Sequence, residues 1–155
     1  LSSSSAASDV YKRQAFAYDK ILTELNEYEK NNDATISIIH GDPVFTNIIL
    51  RENEDFIFLD MRGEIDGKLT LYGDKWYDYA KIYQSILGYD EILLDKVIDY
   101  EYRQEIKILY EEYINEKFGK DRMEKIRLIT NSLLFSLIPL HDNEKIWDYF
   151  KLIQN

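Results

Sequence analysis

A histidine, an aspartate and an asparagine interrupt an aliphatic run in "IIHGDPVFTNIIL", residues 38–50. An ionised carboxylate is costly to bury unless it is paired or holds a cation. His40, Asp42 and Asn47 therefore mark either a polar turn between strands or a site. Asp60 closes the next apolar run, "FIFLD" at 56–60. Strands at 46–50 and 56–60, joined by the polar "RENED", run antiparallel, so the end of the second returns beside the start of the first and brings Asp60 close to Asn47. A carboxylate beside an amide oxygen suits a hard divalent cation such as Mg²⁺. Asp42, at the mouth of the same loop, is then free to accept a proton from an attacking hydroxyl. Phosphoryl transfer asks for this set and for little more, since positioning and charge neutralisation carry most of the catalysis.

The surrounding elements follow from periodicity. Tyr18, Ile21, Leu22, Leu25 and Tyr28 recur at helical spacing and predict an amphipathic helix over about 15–30, ended by "NND" at 31–33. "TISIIH" at 35–40 is short and rich in β-branched residues, which predicts a strand, and Pro43 stops any helix from running through the loop. After Gly63 and Gly67 comes "KLTLYGD", then a helix over 75–87 that Gly88 ends. Asp74 and Asp78 flank its start and favour its dipole. Ile106, Leu109, Tyr110, Tyr113 and Ile114 put helical spacing into 90–118, closed by Gly119. The segment 123–138 is apolar on most faces and reads as the central helix. A last helix over 143–153 carries Ile146, Trp147 and Phe150 on one side. The fold class is α+β, mostly α, with a small β-hairpin carrying the site.

With 29 acidic against 19 basic residues the formal charge is −10, which argues against nucleic acid or an anionic membrane as the main partner. A phosphorylated ligand remains compatible, because a metal ion reverses the local field. No cysteine is present, so there is no thiolate nucleophile or thiolate metal site, and a reducing cytoplasm fits. No apolar run approaches the ~20 residues of a membrane span. The opening "LSSSSAASDVYKRQ" has no initiator Met and no apolar signal core. It resembles translated adaptor sequence at the ends of draft assemblies, and residues 1–14 are expected to be a non-native or disordered leader to a domain spanning 15–155.

Protein kinases meet the same chemical demands with H-R-D-x-x-x-x-N followed by D-F-G. "HGDPVFTN" at 40–47 resembles the H-G-D-x-x-x-x-N loop of the aminoglycoside phosphotransferase and choline kinase family. "FIFLDMRG" at 56–63 resembles its metal-binding aspartate strand, and "GDKWYDYAKI" at 73–82 its "GDPxYDLA" segment. The wording of "DMRG" and "YDYAKIYQSILGYDEI" is further similar to phosphotransferase-like proteins encoded with bacterial capsule and surface-polysaccharide genes. Three motifs in the family's order make the signal specific, and the resemblance covers 15–155. It implies the C-terminal lobe of a protein-kinase-like fold, in a parent that moves the γ-phosphate of ATP, or another nucleotide triphosphate, to a hydroxyl of a small molecule in the cytoplasm. Asp42 becomes the catalytic base, and Asn47 and Asp60 the Mg²⁺ ligands. His40 braces the loop, and Asp78 is a structural carboxylate tying a helix start to it. A sugar, amino-alcohol or polysaccharide precursor is the acceptor class; its identity and the oligomeric state are not written in the sequence.

Two departures qualify this. Many members carry a second carboxylate two residues after the metal aspartate, where this chain has Arg62; it contacts phosphate or substrate, pairs with a neighbouring acid, or marks weakened metal binding. The family's N-terminal lobe supplies a strand lysine and a loop over the phosphates, whereas 39 residues precede His40 here, without a Gly-rich loop. The expectation is a fragment lacking that lobe. Two other readings stand beside the enzyme: a degenerate kinase-like lobe that binds a nucleotide or a protein without turnover, and an acidic helical interaction domain. His141 in "PLHDN" is read as a cap or core hydrogen-bonding residue, with a substrate contact as the alternative.

Overall fold

The computed structural model describes the backbone of residues 2–140 and 143–153 and the side chains of 12–140 and 145–153. His141 lies outside the described residues. The chain divides into two units, Leu1–Asp33 and Ala34–Asn155.

The first unit is one helix, α1 (Ser2–Lys30). It is longer than the periodicity predicts. The backbone of residues 2–14, expected to be a non-native or disordered leader, continues the helix, and neither Pro nor Gly interrupts it. The helix ends as expected at "NND": Asn32 takes a left-handed φ of 54°, and the Asp33 N–H donates to the Tyr28 carbonyl at 3.1 Å.

The second unit is α+β and mostly helical. Its strands form three antiparallel pairs. β1 (Ile36–Ile38) pairs with β6 (Tyr72–Asp74), β2 (Ile48–Leu50) with β3 (Phe56–Phe58), and β4 (Glu64–Ile65) with β5 (Lys68–Leu69). The β2–β3 hairpin is the one expected but shorter, since a 3-10 turn takes Phe45–Asn47, and its register sets Ile48 opposite Phe58 and Leu50 opposite Phe56. The β4–β5 hairpin was not anticipated, although Asp66-Gly67 between its strands is a strong turn signal. Both residues adopt positive φ, 51° and 73°, as a type I′ turn requires.

The helices are α2 (Lys75–Ile86), α3 (Tyr89–Leu93), α4 (Tyr100–Phe118), α5 (Lys120–Ser136) and α6 (Asn143–Leu152). The continuous helical pattern expected over 90–118 is in fact split. Asp95 turns left-handed at φ 55°, and Asp99 caps a new helix by accepting from the Tyr102 N–H at 3.1 Å. α5 is central as predicted. Its Met123, Ile126 and Leu134 are buried with Ala80 and Tyr83 of α2, Ile114 of α4 and Tyr149 of α6. The Thr130 hydroxyl, fully buried, lies 3.2 Å from the Ala80 carbonyl, so small side chains let α2 and α5 approach. The Tyr83 hydroxyl donates to Glu111, and Arg127 holds the same carboxylate at 2.8 Å, joining α2, α4 and α5. Among the described residues, no helix is long and apolar enough to cross a membrane.

Buried tyrosines make this core sensitive to alkali. Burial, reinforced by Glu111, raises the Tyr83 hydroxyl above its ordinary value, and burial does the same to Tyr110. Burial and the neighbouring Tyr89 push Tyr149 up to about 12. The folded state holds these protons more tightly than the unfolded chain does. Their stabilisation is therefore complete below about pH 10 and is lost as the pH climbs through the folded values. The melting temperature, followed by circular dichroism, should fall steeply above about pH 10. A flat profile through that range would rule the buried tyrosines out as the cause.

Candidate active site

The pairing of β1 with β6 positions the loop. β1 runs out of the sheet at Ile39, whose N–H donates to the Leu71 carbonyl at 2.9 Å, while β6 leads directly into α2. Asp74 closes the junction: its Oδ1 accepts from the Trp76 N–H at 3.2 Å, as a helix cap, and from the Thr35 N–H at 2.9 Å. The segment 40–42 is thereby set beside the first turns of α2.

There Asp78 accepts two consecutive backbone donors, the His40 N–H on Oδ2 at 2.7 Å and the Gly41 N–H on Oδ1 at 2.8 Å. One carboxylate fastens the loop with both oxygens. Gly41 has φ 83°, and a Cβ at this position would lie 2.6 Å from the Arg62 Cβ, so only glycine lets the 60–62 segment pass. The Arg62 N–H donates to the His40 carbonyl at 2.9 Å and completes that crossing. His40 accepts on Nδ1 from the Asp42 N–H at 3.2 Å, which puts its ring proton on Nε2, and its ring lies 5.7 Å from that of Phe58.

Beyond Asp42 the loop is pinned again. Pro43 and Val44 are buried, the Phe45 N–H donates to the Ser85 hydroxyl at 3.0 Å, and the Thr46 N–H donates to Asp90 Oδ1 at 3.2 Å. Asn47 reaches back: its Nδ2 donates to the Asp42 carbonyl at 2.9 Å and to Asp42 Oδ2 at 3.3 Å. Its own backbone carbonyl accepts from the Leu59 N–H at 2.9 Å, so the hairpin register brings Asp60 in directly after that pairing.

Asp42, Asp60 and Arg62 share one recess of about 330 Å³, lined also by Gly41, Tyr77 and Lys81. Asn47 touches Asp42 but does not line the recess. Asp42 has a basic neighbour that the sequence reading did not include: Lys81 Nζ stands 3.0 Å from its Oδ1. At 41% exposure its side chain is still open to a reacting group, while Lys81 is 14% exposed. Asp60 holds a left-handed φ of 56°, a conformation costly for a non-glycine residue, and its exposed carboxylate has no protein partner among the described residues. Of the alternatives for Arg62, the salt bridge is absent: among the described residues no carboxylate pairs with it, and its Nη1 donates to the Tyr77 hydroxyl at 3.1 Å.

Lys81, Ser85, Tyr77 and Asp90 escaped the sequence reading. The first two were legible. Asp74, Asp78, Lys81 and Ser85 fall at i, i+4, i+7 and i+11, one polar stripe along α2 that meets the loop. Asp90 offered no such signal, since Gly88 (φ 112°) breaks the helical period before it. Burial, then the charges of Asp42 and Asp90, raise the Tyr89 hydroxyl above its ordinary value, which places Tyr89 within the field of this cluster.

Among the described residues no group of three or more His, Cys, Asp or Glu side chains is arranged to hold a metal ion. The chain matches no family model, no curated protein and no solved structure.

Proposed function

We propose that this chain carries the metal and acceptor side of a nucleotide-dependent phosphotransferase site, the C-terminal lobe of a protein-kinase-like fold. The observation that carries the reading is the Asp78 carboxylate, which fastens His40 and Gly41 so that Asp42 opens into the same recess as Asp60. Asp42 orients the acceptor hydroxyl and takes its proton on a carboxylate oxygen. Lys81 keeps that carboxylate in place, and the Asn47 amide fixes the loop behind it.

The residues that would hold Mg²⁺ are Asp60, which lines the recess, and Asn47, which stands behind it on Asp42. Asp60 offers a carboxylate without a partner among the described residues, and Asn47, with Nδ2 committed to Asp42, retains Oδ1. Mg²⁺ requires few protein oxygens when phosphates and waters complete its shell. Bound there, it would neutralise charge on the nucleotide phosphates. The donor is ATP or another nucleotide triphosphate, which places the reaction in the cytoplasm. The acceptor is a small-molecule hydroxyl, and surface-polysaccharide synthesis is the setting the motif wording favours.

A second reading has its own observation. Lys81 occupies one oxygen of the Asp42 carboxylate, which suits a lobe that binds nucleotide or protein without turnover.

Calorimetric titration with a non-hydrolysable ATP analogue, with and without Mg²⁺, tests the proposal. Binding should depend on Mg²⁺, and Asp60→Ala should weaken it at least about tenfold, the scale of losing one of very few metal ligands. Equal affinity with and without Mg²⁺ would remove the basis for the metal assignment.

A further inference from the structure

We propose that Arg62 and Tyr77 form an oxyanion subsite in the recess beside Asp42, built for a phosphate or carboxylate group of a reactant. The inference rests on the phosphotransferase reading for what the recess does, but not for the recognition of the anion.

Arg62 is exposed but held at both ends. Its backbone N–H is bonded to the His40 carbonyl, and its Cβ and Cδ would lie 2.6 Å and 3.3 Å from a Cβ at Gly41, so the side chain runs closely over the glycine. Its head is held by the Tyr77 hydroxyl at 3.1 Å, with the guanidinium carbon 5.9 Å from the Tyr77 ring centre. A side chain so constrained has less conformational freedom to lose when it binds a ligand.

Its charge is unspent. Acidic residues outnumber basic ones 29 to 19, and Asp42 and Asp60 line the same recess, yet no carboxylate among the described residues pairs with Arg62. Lys81, the other cation of the wall, is committed to Asp42. A guanidinium presents five donors in a planar fork, of which Tyr77 takes one. Tyr77 accepts that bond and keeps its own O–H proton to donate. The planar fork and the neighbouring phenol together offer several adjacent donors, the kind of group that recognises phosphate and carboxylate oxygens.

The anion has two sources, the phosphates of the donor or an acidic group on the acceptor. Titrations of the whole chain, by calorimetry and by amide chemical shifts around residues 60–62 and 77, separate them. One arm uses tripolyphosphate with Mg²⁺. The other uses glucose 6-phosphate and glucuronate against neutral glucose. At least one class of oxyanion should bind in preference to glucose. Arg62→Gln, an exposed substitution that leaves the fold intact, should weaken that binding at least tenfold, Arg62→Lys less, and Tyr77→Phe a few-fold. Loss confined to tripolyphosphate assigns the subsite to the donor, and loss confined to the acidic sugars makes the acceptor an acid; either supports the proposal. No preference for oxyanions over glucose, or unchanged binding in Arg62→Gln, overturns it. The metal reading is separately visible: if Asp60→Ala leaves the Mg²⁺ dependence of nucleotide binding unchanged, that reading falls while an Arg62 effect on oxyanions stands.

Discussion

Asp42→Asn should lower single-turnover phosphoryl transfer by at least about a hundredfold, with binding of the Mg²⁺–nucleotide complex nearly unchanged. General-base steps contribute typically ~10²–10⁴-fold, and a loose phosphoryl transition state draws on the lower part of that range. A hundredfold corresponds to about 2.7 kcal/mol of barrier. The amide keeps the size of the side chain but not its capacity to take a proton. The loop should hold its shape, because Asn47 still bonds to the backbone carbonyl of residue 42 and Asp78 still fastens His40 and Gly41. Lys81, mostly buried at 14% exposure, loses its counter-charge, so a modest fall in melting temperature should accompany the loss of rate. Equal losses in nucleotide affinity and in rate would make Asp42 a ligand or a scaffold residue, and the assignment as base would fail. Unchanged rates would equally rule Asp42 out as the base, and no transfer by the unsubstituted protein would favour the reading as a binding lobe.

Asp78→Ala should destabilise the unit by about 2–4 kcal/mol, because two backbone N–H groups lose a charged acceptor at once and hydrogen bonds to charged groups contribute ~1.5–3 kcal/mol each before relaxation and water recover part of the loss. For a domain of this size the melting temperature should fall by about 10 °C. Asp78→Asn is the control: an amide retains one carbonyl oxygen, can satisfy one of the two donors, and should recover about half of the loss. Hydrogen exchange locates the effect. The amides of His40 and Gly41 should lose protection in Asp78→Ala, while those in the centre of α5 should lose only what the global stability loses. Unchanged protection at His40 and Gly41 would show that the β1–β6 pairing, and not Asp78, holds the loop.

Some of this protein was decided locally, and those parts were legible in the sequence. Helix ends follow from the single residues that stop them: Asn32 after α1, Gly88 after α2 and Gly119 between α4 and α5 all take positive φ. The β2–β3 hairpin and the neighbourhood of Asp60 and Asn47 follow from strand length and antiparallel return, which are short-range geometry. The polar interruption at 40–47 marked itself, because charged and amide side chains persist between aliphatic runs only where a turn, a partner or a ligand satisfies them.

What tertiary structure alone decided is which groups answer one another across the chain. β1 pairs with β6, dozens of residues away in sequence, and no local preference specifies that partner; only through it do His40 and Gly41 arrive at Asp78. The same crossing makes Gly41 obligatory, since the obstacle is the Arg62 stem. The state of Asp42 depends on Lys81, and that of Arg62 on an acid that could have paired with it and does not. Charges have no preferred partner in sequence. Their interaction falls off with distance and depends on what solvates them, so pairing is set only once the helices and strands have been placed.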